Sequence, residues 1–139
     1  MATTLRPWLR LGPASEAARE HAARNYLINV LEWVPTTPYD EWIPVLRHAS
    51  DDEVEADVNA LNRVVEAVRV AREARRVVYL HCGQGMERSP LTAAWVMWKL
   101  GEASTFDDAY AEVTRLHPIT QNREAWVPWG ARYPSHRPA

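Results

Sequence analysis

The stretch that decides the fold is HCGQGMERSP, from His81 to Pro90, which contains the one cysteine of the chain, Cys82. A continuous apolar run comes directly before it, at residues 77–80, and such a run is typical of a strand buried on both faces. Pro90 suits the first turn of a helix, because a backbone N–H is not needed there. The stretch is therefore predicted to be a tight loop that joins a buried strand to a helix.

A loop of this kind is suited to binding an anion. The N-terminus of the following helix presents unpaired N–H groups and partial positive charge. Gly83 and Gly85 would let the backbone curl so that several N–H groups point inward. Arg88 adds a permanent charge whose planar fork can bind two phosphate oxygens. The same environment would stabilise a thiolate at Cys82, so one loop would supply both a phosphate site and a nucleophile.

The composition limits the kind of protein that carries this loop. The chain has 139 residues, which suits a single domain over residues 1–139, and its formal net charge of -2 gives no general reason to expect nucleic acid or a membrane as a partner. One cysteine cannot form an internal disulfide, and the N-terminus has no apolar stretch long enough for a signal peptide or a membrane span. We expect a cytoplasmic protein, and a monomer.

The hydrophobic pattern predicts strands that alternate with helices. Strands are expected at residues 8–11, as a short edge strand, and at 26–31, 42–46 and 77–80; Pro44 suggests an edge or a bulge in the third of them. Helices are expected over about 15–24, 53–74, 90–101, 106–116 and 121–132. This order indicates an α/β fold in which helices cover a small, largely parallel sheet.

HCGQGMERS resembles the signature His-Cys-x-x-Gly-x-x-Arg-Ser/Thr of the protein tyrosine phosphatase superfamily. The short chain and the Arg-Ser-Pro ending are most similar to the dual-specificity phosphatases, and the strands and helices fall in that family's order over nearly the whole chain. The resemblance implies a protein tyrosine phosphatase-like fold of dual-specificity type. It also implies hydrolysis of phosphomonoesters through a phosphocysteine intermediate, without metal or cofactor.

The resemblance assigns a role to each residue of the motif. Cys82 would be the nucleophile, Arg88 would hold the transition state, and Ser89 would bond the sulfur and help it leave. His81 would buttress the loop and support ionisation of the thiol; the alternative is a packed histidine at the end of a strand. The phosphate would lie against the loop backbone, formed by Gly83, Gln84, Gly85, Met86, Glu87 and Arg88.

A general acid must protonate the leaving oxygen. In the resembling family this acid follows a strand and lies about thirty residues before the cysteine. Asp51 and Asp52 lie 31 and 30 residues before Cys82. Asp40 is too early, and Asp57 falls inside the predicted helix. We assign the acid to Asp51 and keep Asp52 as the alternative, since one of the pair would cap the helix.

The loop side chains bear on the substrate. Glu87 places a negative charge near the site and should disfavour polyanionic substrates, and Gln84 and Glu87 both depart from the residues common in the family. Because the chain has no long insertion around the site, the cup should be shallow enough for phosphoserine and phosphothreonine as well as phosphotyrosine. The expected partner is a phosphoprotein or another phosphomonoester.

Two other functions compete with this hypothesis. A rhodanese-like sulfurtransferase also uses a cysteine in an anion-binding loop of an α/β domain, and a non-catalytic phosphate-binding module would use the loop without chemistry. Arg88 and Ser89 after the cysteine, and an aspartate about thirty residues before it, favour the phosphatase over the sulfurtransferase. Retention of both Cys82 and Arg88 argues against the binding module.

Overall fold

The structure is a computed structural model that describes residues 2–31, 36–45, 51–83 and 88–120; for residues 51–57 it describes the helical backbone alone. Within these ranges, five strands form one sheet in the order β1-β2-β5-β3-β4. Their bounds are β1 Thr3–Arg6, β2 Leu9–Pro13, β3 Tyr26–Asn29, β4 Glu41–Trp42 and β5 Val78–Cys82. β2, β5, β3 and β4 are parallel, and β1 pairs antiparallel with β2. The prediction of a largely parallel sheet is confirmed.

The prediction of an edge strand at residues 8–11 is wrong in its position. β2 covers this stretch and lies inside the sheet, because β1, which the hydrophobic pattern did not predict, pairs with its outer side. β1 is held by distant partners: the guanidinium of Arg6 donates to Glu102 and Glu112 at 2.8 Å each. The strand predicted at 42–46 is shorter than expected, and β4 lies at the edge, as Pro44 suggested.

In the described part of the chain, four helices cover the sheet. They are α1 Ala17–Ala22, preceded by a 3₁₀ turn over Ala14–Glu16, then α2 Asp51–Glu73, α3 Arg88–Lys99 and α4 Phe106–Leu116. The helix predicted at 106–116 is confirmed at both ends, and the one at 53–74 within two residues. Gly101, with a φ of +81°, follows the end of α3, where Glu102 N–H bonds the Met97 carbonyl at 2.8 Å. The helix predicted at 121–132 lies outside the described residues.

Among the residues that the structure describes, the two faces of the sheet carry different numbers of helices. α1 packs on one face, where Ala17, Leu27 and Tyr79 form a small buried cluster. α2, α3 and α4 pack on the other face around the main core. α3 is the central helix of that layer: all ten residues from 89 to 98 are buried, which explains why its sequence is apolar on every side.

Candidate active site

Cys82 lies at the carboxyl end of the central strand. It is the last residue of β5, which has β2 on one side and β3 on the other, and its side chain is 3% exposed. Ligands of parallel sheets bind beyond the carboxyl ends of the strands, so this position suits a binding site. The cysteine was expected within the loop, and the structure places it one step earlier, at the end of the strand.

The side chain of Ser89 lies against the sulfur of Cys82. Its Oγ lies 3.3 Å from Cys82 Sγ, and Ser89 is fully buried. Ser89 is the second residue of α3, which begins at Arg88, and Thr92 Oγ1 donates to the Arg88 carbonyl at 2.6 Å within that first turn. The first turn of α3 therefore holds Ser89 beside the sulfur, and Arg88 is the residue directly before it in the chain.

The loop between them is described only at its start. Gln84, Gly85, Met86 and Glu87 lie outside the described residues. The Gly83 carbonyl accepts a 2.9 Å hydrogen bond from Ala14 N–H, which ties the loop to the end of β2. A Cβ at Gly83 would meet only Leu31 Cδ2, at 3.8 Å, and its φ is not in the left-handed region. The expectation that Gly83 is needed for the curl of the backbone is therefore not supported at this residue.

His81 is buried and uncharged at neutral pH. Burial lowers its pKa to about 4, its ring stacks on Tyr79 with 5.4 Å between the ring centres, and neither ring nitrogen has a hydrogen-bond partner in the part of the chain that the structure describes. Successive side chains of a strand point to opposite faces, so His81 and Cys82 face opposite sides of the sheet. A neutral imidazole on the far face adds no positive charge for a thiolate, and the alternative of a packed histidine describes His81 better.

Asn29 is a buried polar residue at this edge that the sequence reasoning missed. It is registered with His81 across the β3–β5 pair, and its side chain is fully buried. Its Oδ1 accepts the Leu31 N–H at 2.8 Å, which holds the chain as it leaves β3. The signal in the sequence was a single polar residue inside the apolar run YLINVL.

The candidates for the general acid differ in whether the structure describes their side chains. Asp51 and Asp52 open α2, and their side chains lie outside the described part of the structure, as does that of Asp57. Asp40 accepts the Leu27 N–H at 2.8 Å and is thereby tied to β3. Its exclusion as the acid agrees with this contact.

The described residues contain no group of three or more histidine, cysteine, aspartate or glutamate side chains that could hold a metal ion. Among the same residues, no helix is both long and apolar enough to cross a membrane.

Solved structures resemble this chain over nearly its whole length. No protein-family model matches the chain, and no curated protein does. A variant of human DUSP28 is 21% identical, covers 96% of this chain and 94% of its own, and superposes with a TM-score of 0.78. A mouse putative dual specificity phosphatase, solved with zinc tungstate, is 19% identical, covers 98% of this chain and 86% of its own, with a TM-score of 0.74.

A further match is the human tyrosine phosphatase-like serine/threonine/tyrosine-interacting protein, at 13% identity, 96% and 95% coverage and a TM-score of 0.74. At these identities the likeness concerns the fold. The resemblance drawn from HCGQGMERS is confirmed at that level: this chain has the protein tyrosine phosphatase-like fold of the dual-specificity phosphatases.

Proposed function

We propose that the protein is a metal-independent phosphomonoester hydrolase that acts on phosphotyrosine and on phosphoserine or phosphothreonine of proteins through a phosphocysteine intermediate. The observation that carries the proposal is the 3.3 Å contact between Cys82 Sγ and Ser89 Oγ. It joins the end of the central parallel strand to the N-terminus of α3, where an anion is best stabilised.

In the first step the Cys82 thiolate attacks phosphorus. A sulfur–phosphorus bond forms while the bond from phosphorus to the ester oxygen breaks, and an acid gives that oxygen a proton. The oxygens of the transferring group carry the developing charge, and the guanidinium fork of Arg88 with the loop N–H groups would bind them. We assign the acid to Asp51, which is in the first turn of α2.

In the second step water attacks phosphorus and the sulfur leaves as a thiolate. The Ser89 hydroxyl donates a hydrogen bond to that sulfur, which stabilises the charge it regains. The carboxylate left by the first step accepts a proton from the water, so the enzyme returns to its starting state with free phosphate as product. His81 is uncharged at neutral pH, and it supports the end of β5 by packing against Tyr79.

The test is hydrolysis of p-nitrophenyl phosphate in the presence of EDTA. Wild type should turn over, Cys82→Ser should lose at least about a thousandfold in kcat, and Arg88→Lys about a hundredfold or more, because a point charge does not replace the fork. Arg24→Lys, an exposed arginine on the turn after α1, is the matched control and should be unchanged. Each variant is checked for folding by urea unfolding.

Two outcomes would overturn the proposal. Folded wild type without turnover would favour the phosphate-binding module or the sulfurtransferase, and transfer of sulfur from thiosulfate to cyanide would separate these two. Turnover that survives in Cys82→Ser would exclude the phosphocysteine intermediate.

The acid assignment has its own test. Asp51→Asn should slow an alkyl phosphate far more than p-nitrophenyl phosphate, because nitrophenolate leaves without a proton. Asp52→Asn is the matched control next to it. If Asp52→Asn shows this selectivity and Asp51→Asn does not, the acid is Asp52. A set of matched phosphotyrosine, phosphoserine and phosphothreonine peptides then measures the substrate range.

A further inference from the structure

A groove of about 560 Å³ lies between α2 and the β4 margin of the sheet. Its helical wall is the stripe of Ala67, Val70, Ala71 and Ala74, which face one side of α2. Tyr26 and Ile43 form the opposite wall on the sheet. This volume falls within the range of sites for small organic ligands, and its walls are mainly apolar.

The groove is separate from the proposed catalytic site. Its Tyr26 end lies beside the first residue of β5, since Tyr26 is registered with Val78, whereas Cys82 is the last residue of that strand. The first and last residues of β5 are four steps apart along the strand, which is about 13 Å. Among the described residues, none that we assign to catalysis lines the groove.

Two glutamates and two arginines line the groove, so its charges balance. Tyr26 O–H donates to Glu41 at 2.6 Å, and Glu66 forms an ion pair with Arg69, so both carboxylates already have partners. Arg63 lines the groove and has no hydrogen-bond or ion-pair partner among the described residues.

Arg76 supplies further N–H donors at the other end of the groove. Its Nη2 donates to the Arg24 carbonyl at 3.1 Å, and its guanidinium lies 5.1 Å from the centre of the Tyr26 ring. A guanidinium has five N–H donors, so most of those of Arg76 are still available. The groove therefore combines an apolar body with two arginines that have free N–H donors, whereas its two glutamates already have partners.

We propose that this groove binds a small organic acid with an unbranched apolar body, of the medium-chain fatty acid type. Its carboxylate pairs with Arg63, and its chain lies along the stripe of α2 toward Tyr26. From Arg63 to Ala74 the helix rises about 16 Å, which suits an elongated ligand. Val70 is 57% exposed in the structure and would be covered by the bound chain.

The probe is decanoate below its micelle concentration, measured by titration calorimetry on the whole chain. Decanoate should bind with a dissociation constant of a few millimolar or tighter, roughly what a ligand of its size reaches. Decanol keeps the apolar body without the charge and should bind about fivefold more weakly, since an exposed ion pair adds about that factor. Acetate keeps the charge alone and should not bind measurably at the groove.

Two variants locate the site. Arg63→Gln should weaken decanoate about fivefold and leave decanol unchanged, whereas Val70→Asp should weaken both, because it adds a charge to the apolar wall. Both residues are exposed, so both variants are expected to fold. Arg75→Gln, an exposed arginine outside the groove, is the matched control for loss of one positive charge and should bind as wild type does.

The proposal is overturned if decanoate does not bind, or if it binds equally to wild type, Arg63→Gln and Val70→Asp. The second result would place the acid elsewhere, including the loop of Arg88. Equal binding of decanol and decanoate to wild type would show that Arg63 does not recognise the charge. None of these outcomes depends on phosphatase activity, so the experiments on the groove and those on the proposed function test the two proposals independently.

Discussion

His81 should make the stability of the protein depend on pH in a way that can be calculated. In the folded chain, burial lowers the pKa of this imidazole from 6.5 to about 4. Between those two pH values, the His81 imidazole is mostly protonated in the unfolded chain and mostly neutral in the folded chain. The free energy of unfolding is therefore undiminished by His81 above pH 6.5, and it decreases as the pH falls toward 4.

The loss of unfolding free energy attributable to His81 is about 2 kcal/mol at pH 5 and about 3 kcal/mol at pH 4, relative to pH 7. The assay is urea unfolding followed by tryptophan fluorescence between pH 7 and pH 4. Carboxylates also contribute, since the hydrogen bonds from Arg6 lower the pKa of Glu112, so the comparison must be made between wild type and a variant. His81→Leu should show a shallower loss by these amounts. His21→Asn, an exposed histidine on α1, should follow wild type.

Parallel curves for wild type and His81→Leu across pH 6.5 to 4 would refute the reasoning, because the buried imidazole would then titrate as it does in the unfolded chain. If the leucine variant does not fold, an NMR titration of the His81 ring in wild type measures the same pKa directly. A ring that takes up its proton near pH 6.5 in the folded protein contradicts the prediction.

The remaining predictions concern three other positions. Ser89→Ala should lower kcat about 10–100-fold by slowing release of the sulfur, with a burst of nitrophenol before steady state; loss without a burst would place the defect in the first step. Gly12→Ala should cost about 1–3 kcal/mol of unfolding free energy, because its Cβ would lie 2.6 Å from the Tyr79 hydroxyl, and a cost undiminished by adding Tyr79→Phe would contradict that cause. Gly101→Ala should cost about 1 kcal/mol because of its positive φ, measured by urea unfolding, and a neutral result would show that the turn adapts.

The elements near the motif could be predicted because their signals are local. The apolar run before His81 gives β5, and Pro90 lies in the first turn of α3. The start of α4 is equally local, since Thr105 Oγ1 accepts the Asp108 N–H at 3.0 Å and caps the helix. In each case the residues that decide the element lie within a few positions of it.

β1 could not be predicted, because what holds it is distant in sequence. Thr3 Oγ1 lies 2.6 Å from His117 Nδ1, and Arg6 binds Glu102 and Glu112. No pattern within Thr3–Arg6 announces these partners. The prediction of an edge strand at residues 8–11 failed for the same reason, since a strand is an edge only if nothing pairs with its outer side.

In the candidate site, too, features that depend on local sequence could be predicted, and contacts between distant residues could not. The motif placed Cys82 and Ser89 seven residues apart in sequence, but the 3.3 Å between sulfur and oxygen depends on how the loop returns to α3. Asn29 was missed because its place beside His81 follows from the register of β3 against β5, which the sequence does not state. The neutral state of His81 likewise follows from burial by residues far along the chain.

The central place of β5 has a consequence for the synthesis of the protein. β2 and β3 are made first, yet they are not neighbours, because the gap between them is filled by residues 78–82. A chain that stops before residue 78 has two inner strands with unpaired edges, which are templates for pairing with other chains. A truncated product is therefore expected to aggregate, and Cys82, the proposed nucleophile, lies on the strand that completes the sheet.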